Sequence, residues 1–375
     1  MTVSDTSLSE HLTLDELRAL PVTIDGVRFD GDMRGVFIQR YLCHEGFLGD
    51  LARFLAEWRK PSPTLTVFTS GSTGEPQPMA VEKERMAASA RATCQALGLT
   101  AGQTALLAMP MRYIAARMVV VRALLAGLNL LPVTPSSSPL REVRQHVDFA
   151  ALTPMQAYTS LQEPETAERL REVRCLLLGG GAISAQLAKS LAVFPNEVWS
   201  SYGMTETLSH IALRRINGPS ASEWFTTLPN VRVRLTEEGT LAIQAPKVVE
   251  RELVTHDIAE LDSHGRFRIL GRSDNVINSG GIKVLIESVE ELLEPVIRSP
   301  FCVTALPDSR LGERICLIHT GQESDESLEK ICRHVLPKYW VPRTYLHARE
   351  IPMTETGKKA RKQARRLAIE LAGRL

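Results

Sequence analysis

No stretch of this 375-residue chain comes near the ~20 consecutive apolar residues of a membrane-spanning helix, although 44% of its residues are hydrophobic. The first residues carry Asp5, Glu10, Asp15 and Glu16, and lack the basic stretch and apolar core of a secretory leader. Charge of one sign is also missing: 44 Lys plus Arg face 43 Asp plus Glu. That balance sets up no global field for nucleic acid or an anionic membrane surface, so any anionic ligand has to be gripped locally. The six cysteines, Cys43, Cys94, Cys175, Cys302, Cys316 and Cys332, are scattered, without the close spacing of a metal knuckle or a redox pair. They read as reduced thiols, and a soluble cytoplasmic protein is the expectation. There is no internal repeat and no low-complexity tract.

What is present is an alternation of short β-rich runs with helical segments from about residue 64, the pattern of a mostly parallel sheet layered with helices. Strands are predicted over Leu65–Thr69, Ala105–Ala108, Leu130–Val133, Phe149–Thr153, Cys175–Leu178 and Val198–Ser201. Helices are predicted between them over Glu82–Leu97, Ala115–Leu125, Pro154–Leu161 and Ser184–Phe194, and an earlier one over Leu12–Leu20. After about Pro229 short alternating runs, Val231–Leu235, Thr240–Gln244 and Phe267–Leu270, predict a small antiparallel β subdomain. The last hundred or so residues carry their own helices and strands, enough for a small domain. The fold class expected is α/β, in two domains, residues 1–273 and 274–375.

Four segments carry chemistry. Thr69-Ser70-Gly71-Ser72-Thr73-Gly74 follows a strand directly; its glycines let amide N–H groups converge and its hydroxyls suit phosphate oxygens. It is not a Walker loop, because no Lys-Ser or Lys-Thr follows the second glycine. Ser201-Tyr202-Gly203-Met204-Thr205-Glu206-Thr207 follows the last strand of the α/β region, where open sheets bind ligands. An aromatic face, a hydroxyl and a carboxylate able to hold Mg²⁺ fall together there. Taken alone, Tyr202 as core and Glu206 as a helix-start carboxylate would be the stronger reading. Thr255-His256-Asp257 with Gly271-Arg272-Ser273-Asp274 offers an Asp and an Arg for ribose hydroxyls, and Ser279-Gly280-Gly281 a turn or hinge. Lys358, after Thr356-Gly357, is a cation suited to charge developing on a phosphate.

The order and spacing of these segments, from about Leu65 to Arg361, resemble the acyl-adenylate-forming superfamily of acyl-CoA synthetases, adenylation domains and luciferases. That resemblance implies that Ser70 to Gly74 cradle the phosphates of ATP. Tyr202 would stack on adenine beside Gly180 and Gly181, Thr205 and Glu206 would hold the α-phosphate and Mg²⁺, and Asp257 and Arg272 the ribose. It further makes Asp274 the hinge of a mobile C-terminal domain, Lys358 the lysine that promotes adenylation, and Gly281 part of the coenzyme A tunnel. The implied mechanism has two steps: a carboxylate attacks the α-phosphorus and expels pyrophosphate, then a thiol attacks the acyl carbonyl and expels AMP.

Three departures stand out, one of them His256, which stands where glycine is common. Gln77 occupies the place where the superfamily normally has a lysine, so either one phosphate charge is neutralised elsewhere, with Lys83 a nearby candidate, or binding is weaker. The phosphate loop also begins early in the chain, so that the usual N-terminal subdomain is missing or reduced to residues 1–60. The short chain, Met111-Arg112-Tyr113-Ile114-Ala115-Ala116-Arg117-Met118, the Gly179-Gly180-Gly181 run and Tyr202 to His210 resemble more narrowly the o-succinylbenzoate–CoA ligases of menaquinone biosynthesis. Such a substrate is an aromatic dicarboxylate, and its unreacting carboxylate must meet a cation. Arg117 and Arg122 are five residues apart in a helical run and cannot share one face, so at most one enters a pocket. Arg117 is favoured, with Tyr113, Ser209 and His210 as further substrate contacts. Another aryl- or acyl-CoA ligase, or a non-catalytic nucleotide-binding protein, are the competing readings. Nothing in the sequence fixes the oligomeric state, and a homodimer is left open.

Overall fold

Runs of apolar residues without alternation become the strands buried on both faces. Phe149–Leu152 and Cys175–Leu178 are buried at every position, as parallel strands under helices must be. The structure is a computed structural model and describes residues 12–69, 77–354 and 358–373. In chain order the strands of the first half are β1 (Val22–Ile24), β2 (Val27–Phe29), β3 (Thr64–Thr69), β4 (Gln77–Glu82), β5 (Thr104–Leu107), β6 (Asn129–Pro132), β7 (Phe149–Leu152), β8 (Cys175–Leu178), β9 (Glu197–Gly203), β10 (His210–Arg215) and β11 (Thr226–Thr227). A nine-stranded sheet is ordered β11-β10-β9-β8-β7-β5-β6-β1-β2. Its six central strands, β9 to β1 in that order, run parallel, and antiparallel strands close both edges.

One expectation changes. Thr64–Thr69 is not a member of the parallel sheet; it pairs antiparallel with β4 from Thr64↔Glu82 to Thr69↔Gln77 as a separate two-stranded ribbon. Its apolar residues alternate, with Leu65 and Val67 buried and Thr66 and Phe68 exposed, as befits a strand with one solvated face. The helices start and stop where local chemistry dictates. Thr153 caps Pro154–Ser160 through a reciprocal box with Gln156, and Gly127 in the left-handed region ends Ile114–Ala126. The helix expected over Leu12–Leu20 spans Leu14–Ala19, boxed by Thr13 and Glu16.

The second half contributes β12 (Arg232–Leu235), β13 (Thr240–Gln244), β14 (Leu253–Leu261), β15 (Phe267–Arg272), β16 (Val276–Ser279), β17 (Ile282–Leu285), β18 (Phe301–Asp308), β19 (Gly312–His319) and β20 (Thr344–His347). β12 to β15 form a four-stranded sheet in sequence order. The other five form a sheet ordered β17-β16-β19-β18 with β20 alongside β19. The chain divides into two compact units: residues 1–182, 191–232 and 243–253, and residues 183–190, 233–242 and 254–375. The first contains the nine-stranded sheet and a core centred on Trp58, Met86, Met118 and Phe149. The second has its own core, built on Val284, Val289, Leu293, Val303 and Leu317. All six cysteines are free thiols, and among the described residues no helix is long and apolar enough to cross a membrane.

Candidate functional site

In the first unit the loops that leave the carboxyl ends of β7, β8 and β9 lie side by side. Gly179 follows β8, and a side chain there would come within 2.5 Å of Ser201 Oγ; Gly180 sits at φ +80 with Thr153 beside it. Gly180 needs glycine for its backbone angle, while a side chain at Gly179 would have to displace the Ser201 hydroxyl. Tyr202, half-buried near the end of β9, packs its ring against Phe225 at 5.9 Å between centroids. At Gly203 a Cβ would stand 2.3 Å from Ser209 O, so the chain closes on itself here.

Thr205–Thr207 form one 3₁₀ turn, with Glu206 exposed and the Thr207 hydroxyl tied to Met204 O and Ser209 O. The next residue, Leu208, is buried at φ 63 and ψ −38, and Ser209 N–H bonds Thr207 O at 2.6 Å. That is a γ-turn of the strained hand, about a bulky residue, of the kind that persists where surrounding structure enforces it. It swings the chain from Glu206 back into β10. β3 runs beside this turn. The loop it leads into, Ser70 to Gly74, lies outside the described residues, as does the side chain of Thr69.

Behind the turn is a buried polar chain. Arg122 Nη2 donates to Ser209 Oγ at 2.6 Å, Ser209 Oγ lies 3.3 Å from His210 Nδ1, His210 Nε2 lies 3.1 Å from Thr93 Oγ1, and Thr93 Oγ1 donates to Ser89 O at 3.1 Å. Proton positions follow. Because the threonine hydroxyl gives its proton to Ser89 O, it accepts from His210 Nε2–H, which leaves Nδ1 to accept from Ser209. Burial, and secondarily the charge of Arg122, push His210 far below the ordinary histidine range, so the ring is neutral. Burial also lowers Arg122, to about 10, which keeps it a cation at neutral pH. Among the described residues no carboxylate pairs with it, its Nε has no hydrogen-bond partner, and the nearby Cys94 thiol is raised by burial to about 11 and stays neutral. An uncompensated guanidinium in a protein interior is costly unless a ligand supplies the missing charge.

Arg117 is placed elsewhere. Its Nε donates to Met111 O at 2.9 Å and its Nη1 to Thr66 O at 2.6 Å, with Phe54 under the guanidinium at 5.6 Å. The helix Ile114–Ala126 therefore brings Arg122, not Arg117, to Ser209 and His210. Tyr113 caps the start of that helix and stacks with Arg112 at 4.8 Å. A signal for Arg122 was available: it is the one charge in Met118–Ala126, a run otherwise apolar and buried throughout. Lys83 does not stand in for a phosphate-loop lysine. It is fully buried and donates to Lys60 O at 2.7 Å, capping the end of Phe47–Arg59.

In the second unit, Asp257 on β14 and Arg272 on β15 are register partners, joined at 3.0 Å. Arg272 also grips Asp274 through two bonds of 2.9 Å, which hold the Asp274 carboxyl below its usual range. Asp274 lies in the 3₁₀ turn Ser273–Asn275. Lys358 is exposed over part of its side chain, yet surrounding protein desolvates its ammonium and lowers it from the usual lysine range, with Arg272 adding repulsion and Asp257 opposing it. Gly280 and Gly281, at φ +60 and +83, make the tight turn joining β16 to β17. No group of three metal-binding side chains gathers among the described residues. Exposed Glu206 beside the Thr205 hydroxyl suits a hard divalent cation that takes its remaining ligands from phosphate and water.

The family model of the AMP-binding enzymes matches residues 35–256. This chain belongs to the AMP-binding enzyme family. Among relatives of this AMP-binding enzyme, the 2-succinylbenzoate–CoA ligase of Bacillus mycoides is 25% identical over 343 residues, covering 81% of this chain and 70% of the relative. The crystal structure of an acyl-CoA synthetase (AMP-forming)/AMP-acid ligase II-like protein from Dyadobacter fermentans is 30% identical, with a TM-score of 0.58 over 86% of this chain and 94% of that one. o-Succinylbenzoate CoA synthetase from Bacillus subtilis, in complex with its acyl-adenylate intermediate, gives a TM-score of 0.68 at 22% identity over 80% of this chain and 68% of that one. The last likeness establishes the fold, and the α/β architecture is that of the AMP-binding enzymes.

Proposed function

We propose that this AMP-binding enzyme is an ATP-dependent ligase that joins 2-succinylbenzoate (o-succinylbenzoate) to coenzyme A through an acyl-adenylate, releasing AMP and diphosphate, as a step of menaquinone biosynthesis. The observation that carries the choice of acid is Arg122: a buried cation with no carboxylate partner among the described residues, held by Ser209 one turn beyond Tyr202 and Glu206. A substrate with two carboxylates suits this arrangement, one to react and one to be neutralised. The relatives named 2-succinylbenzoate–CoA ligase support the same reading.

The chemistry needs no general base, because the attacking carboxylate is already an anion; neutral His210, with both ring nitrogens engaged, orients Ser209 instead. Ser70 to Gly74 would bind the ATP phosphates, Tyr202 with Gly180 and Gly181 the adenine, Asp257 and Arg272 the ribose, and Gly281 would line the route of coenzyme A. Mg²⁺, bound at Glu206 and Thr205, would supply charge neutralisation for the phosphates. Lys358 would stabilise charge developing between carboxylate and α-phosphate. The exchange between the two half-reactions is assigned to rotation of a C-terminal domain, 274–375, about Asp274. Mass spectrometry of a reaction with ATP, coenzyme A and 2-succinylbenzoate tests the proposal. The expected products are 2-succinylbenzoyl-CoA and AMP in equal amounts; ADP, or AMP without thioester, would contradict it.

A further inference from the structure

Lys358 is followed by two cations, Lys359 and Arg361, that are less exposed than it is. Thr354 N donates to Lys358 O at 2.7 Å, Lys358 N to Thr354 Oγ1 at 3.0 Å, and Ala360 N to Pro352 O at 2.8 Å, with Met353 and Lys359 bridged antiparallel. Along an extended segment side chains alternate, so Lys358 faces away from Lys359 and Arg361, which share the opposite face. There both meet one buried carboxylate. Glu290, on the helix Ile286–Leu293, accepts from Arg361 through two bonds of 2.7 and 2.8 Å, from Lys359 Nζ at 2.9 Å and from Val303 N at 2.8 Å. The Lys359 ammonium also lies 4.7 Å from the centroid of the Phe301 ring.

Three features argue that this cluster serves placement. Arg361 is the first residue of the helix Arg361–Ala372, whose opening turn holds no acid, so the helix dipole disfavours the cation there and Glu290 supplies the compensation. A buried ion pair adds little stability over apolar packing of the same volume, while its geometry is fixed by a two-pronged guanidinium–carboxylate contact. The helix Ile286–Leu293 carries Glu287 as well as Glu290, and Glu287 accepts from Asn275 Nδ2 at 2.5 Å, so one rigid element holds both the turn around Asp274 and the arm around Lys358.

We propose that Glu290 is a positioning residue for adenylation, clamping Lys359 and Arg361 so that Lys358 is presented at a fixed place. The proposal rests on the reading of Lys358 given above. Displacing a charge-stabilising group by about 1 Å costs on the order of 100-fold in rate. The test measures the two half-reactions separately in the full chain. These are acid-dependent ATP–pyrophosphate exchange, and thioester formation from supplied acyl-adenylate and coenzyme A.

Glu290→Gln is expected to lower the kcat of exchange by roughly 10- to 100-fold with the KM for ATP within about twofold, and to leave the thioester step within about twofold. Glu290→Asp, which keeps the charge, should recover part of the exchange rate. Should Glu290→Gln fold poorly, Glu290→Met combined with Arg361→Met and Lys359→Met removes the clamp together with both of its cations, and the same split is expected. Equal loss in both half-reactions, or full exchange in a folded variant, would overturn the proposal. Lys358→Ala is run beside them: if it exchanges pyrophosphate normally, the role given to Lys358 fails, whereas a defect in Lys358→Ala without one in Glu290→Gln refutes the clamp alone.

Discussion

Replacing Arg122 by Met separates stability from function in opposite directions. Burial lowers the guanidinium from 12.5 to about 10, and a shift of that size corresponds to about 3 kcal/mol of destabilisation. The sign follows from linkage. The folded state binds the proton less tightly than the unfolded chain, so the full cost is carried at neutral pH and stability recovers only as pH rises through about 10. Methionine removes that cost and forfeits the bond to Ser209, worth about 1.5–3 kcal/mol for a charged donor, so the variant should be neutral to about 1.5 kcal/mol more stable. Function should move the other way. Losing a buried cation opposite a substrate carboxylate costs about 2–4 kcal/mol, a rise of roughly 30- to 1000-fold in the KM for 2-succinylbenzoate with that for ATP unchanged. Denaturant unfolding and steady-state kinetics with each substrate varied are the assays. A loss of more than about 2 kcal/mol of stability would mean that Arg122 has a stabilising partner, and an equal rise in both KM values would remove it from the acid pocket.

Lys358→Ala should abolish acid-dependent pyrophosphate exchange yet keep thioester formation from supplied adenylate, measured by stopped reactions of each half. Because Lys358 is held below the usual lysine range, the alkaline loss of exchange should begin at lower pH than an ordinary lysine would give, and Lys358→Arg should push that limb upward; an unchanged limb would separate the titration from Lys358. Gly203→Ala forces a Cβ to 2.3 Å from Ser209 O and 2.4 Å from His210 Cα, both backbone, so it should cost about 1–3 kcal/mol of stability and weaken ATP binding, read by denaturation and calorimetry. With Lys83 committed to Lys60 O, Gln77→Lys should lower the KM for ATP several-fold without altering the choice of acid; no change would mean that the missing charge is supplied elsewhere.

The central strands were legible because burial on both faces leaves an apolar run with nothing to confuse it: Cys175–Leu178 matches its prediction residue for residue. β14, which has one polar face, and β10, which ends in Arg214 and Arg215, carry charges within them and gave no such signal. The hairpin of β1 and β2 had its mark in Asp25-Gly26, both at positive φ, but its three-residue strands are too short for periodicity to register. β3 was visible as a strand, while its antiparallel partner was not, since Gln77 and Pro78 hide the start of β4. Glycines tied to backbone geometry, Gly180, Gly203 and Gly281, could be named from motif alone. Arg122 and Arg117 could not be sorted by spacing, because which of them is swallowed by carbonyl groups depends on Thr66 and Met111, contacts made only in the folded chain. The lysine expected to replace Gln77 failed for the same reason: a long side chain reaches whichever acceptor the tertiary packing offers, and for Lys83 that is a helix end.

The most direct test of the account is pyrophosphate release on mixing the protein with Mg-ATP, coenzyme A and one acid at a time: 2-succinylbenzoate, benzoate, a medium-chain fatty acid, or none. Release with 2-succinylbenzoate well above the other three is the predicted result. Equal release with benzoate would contradict a pocket built around a second carboxylate, and silence with every acid in a protein that binds ATP would contradict the enzyme itself.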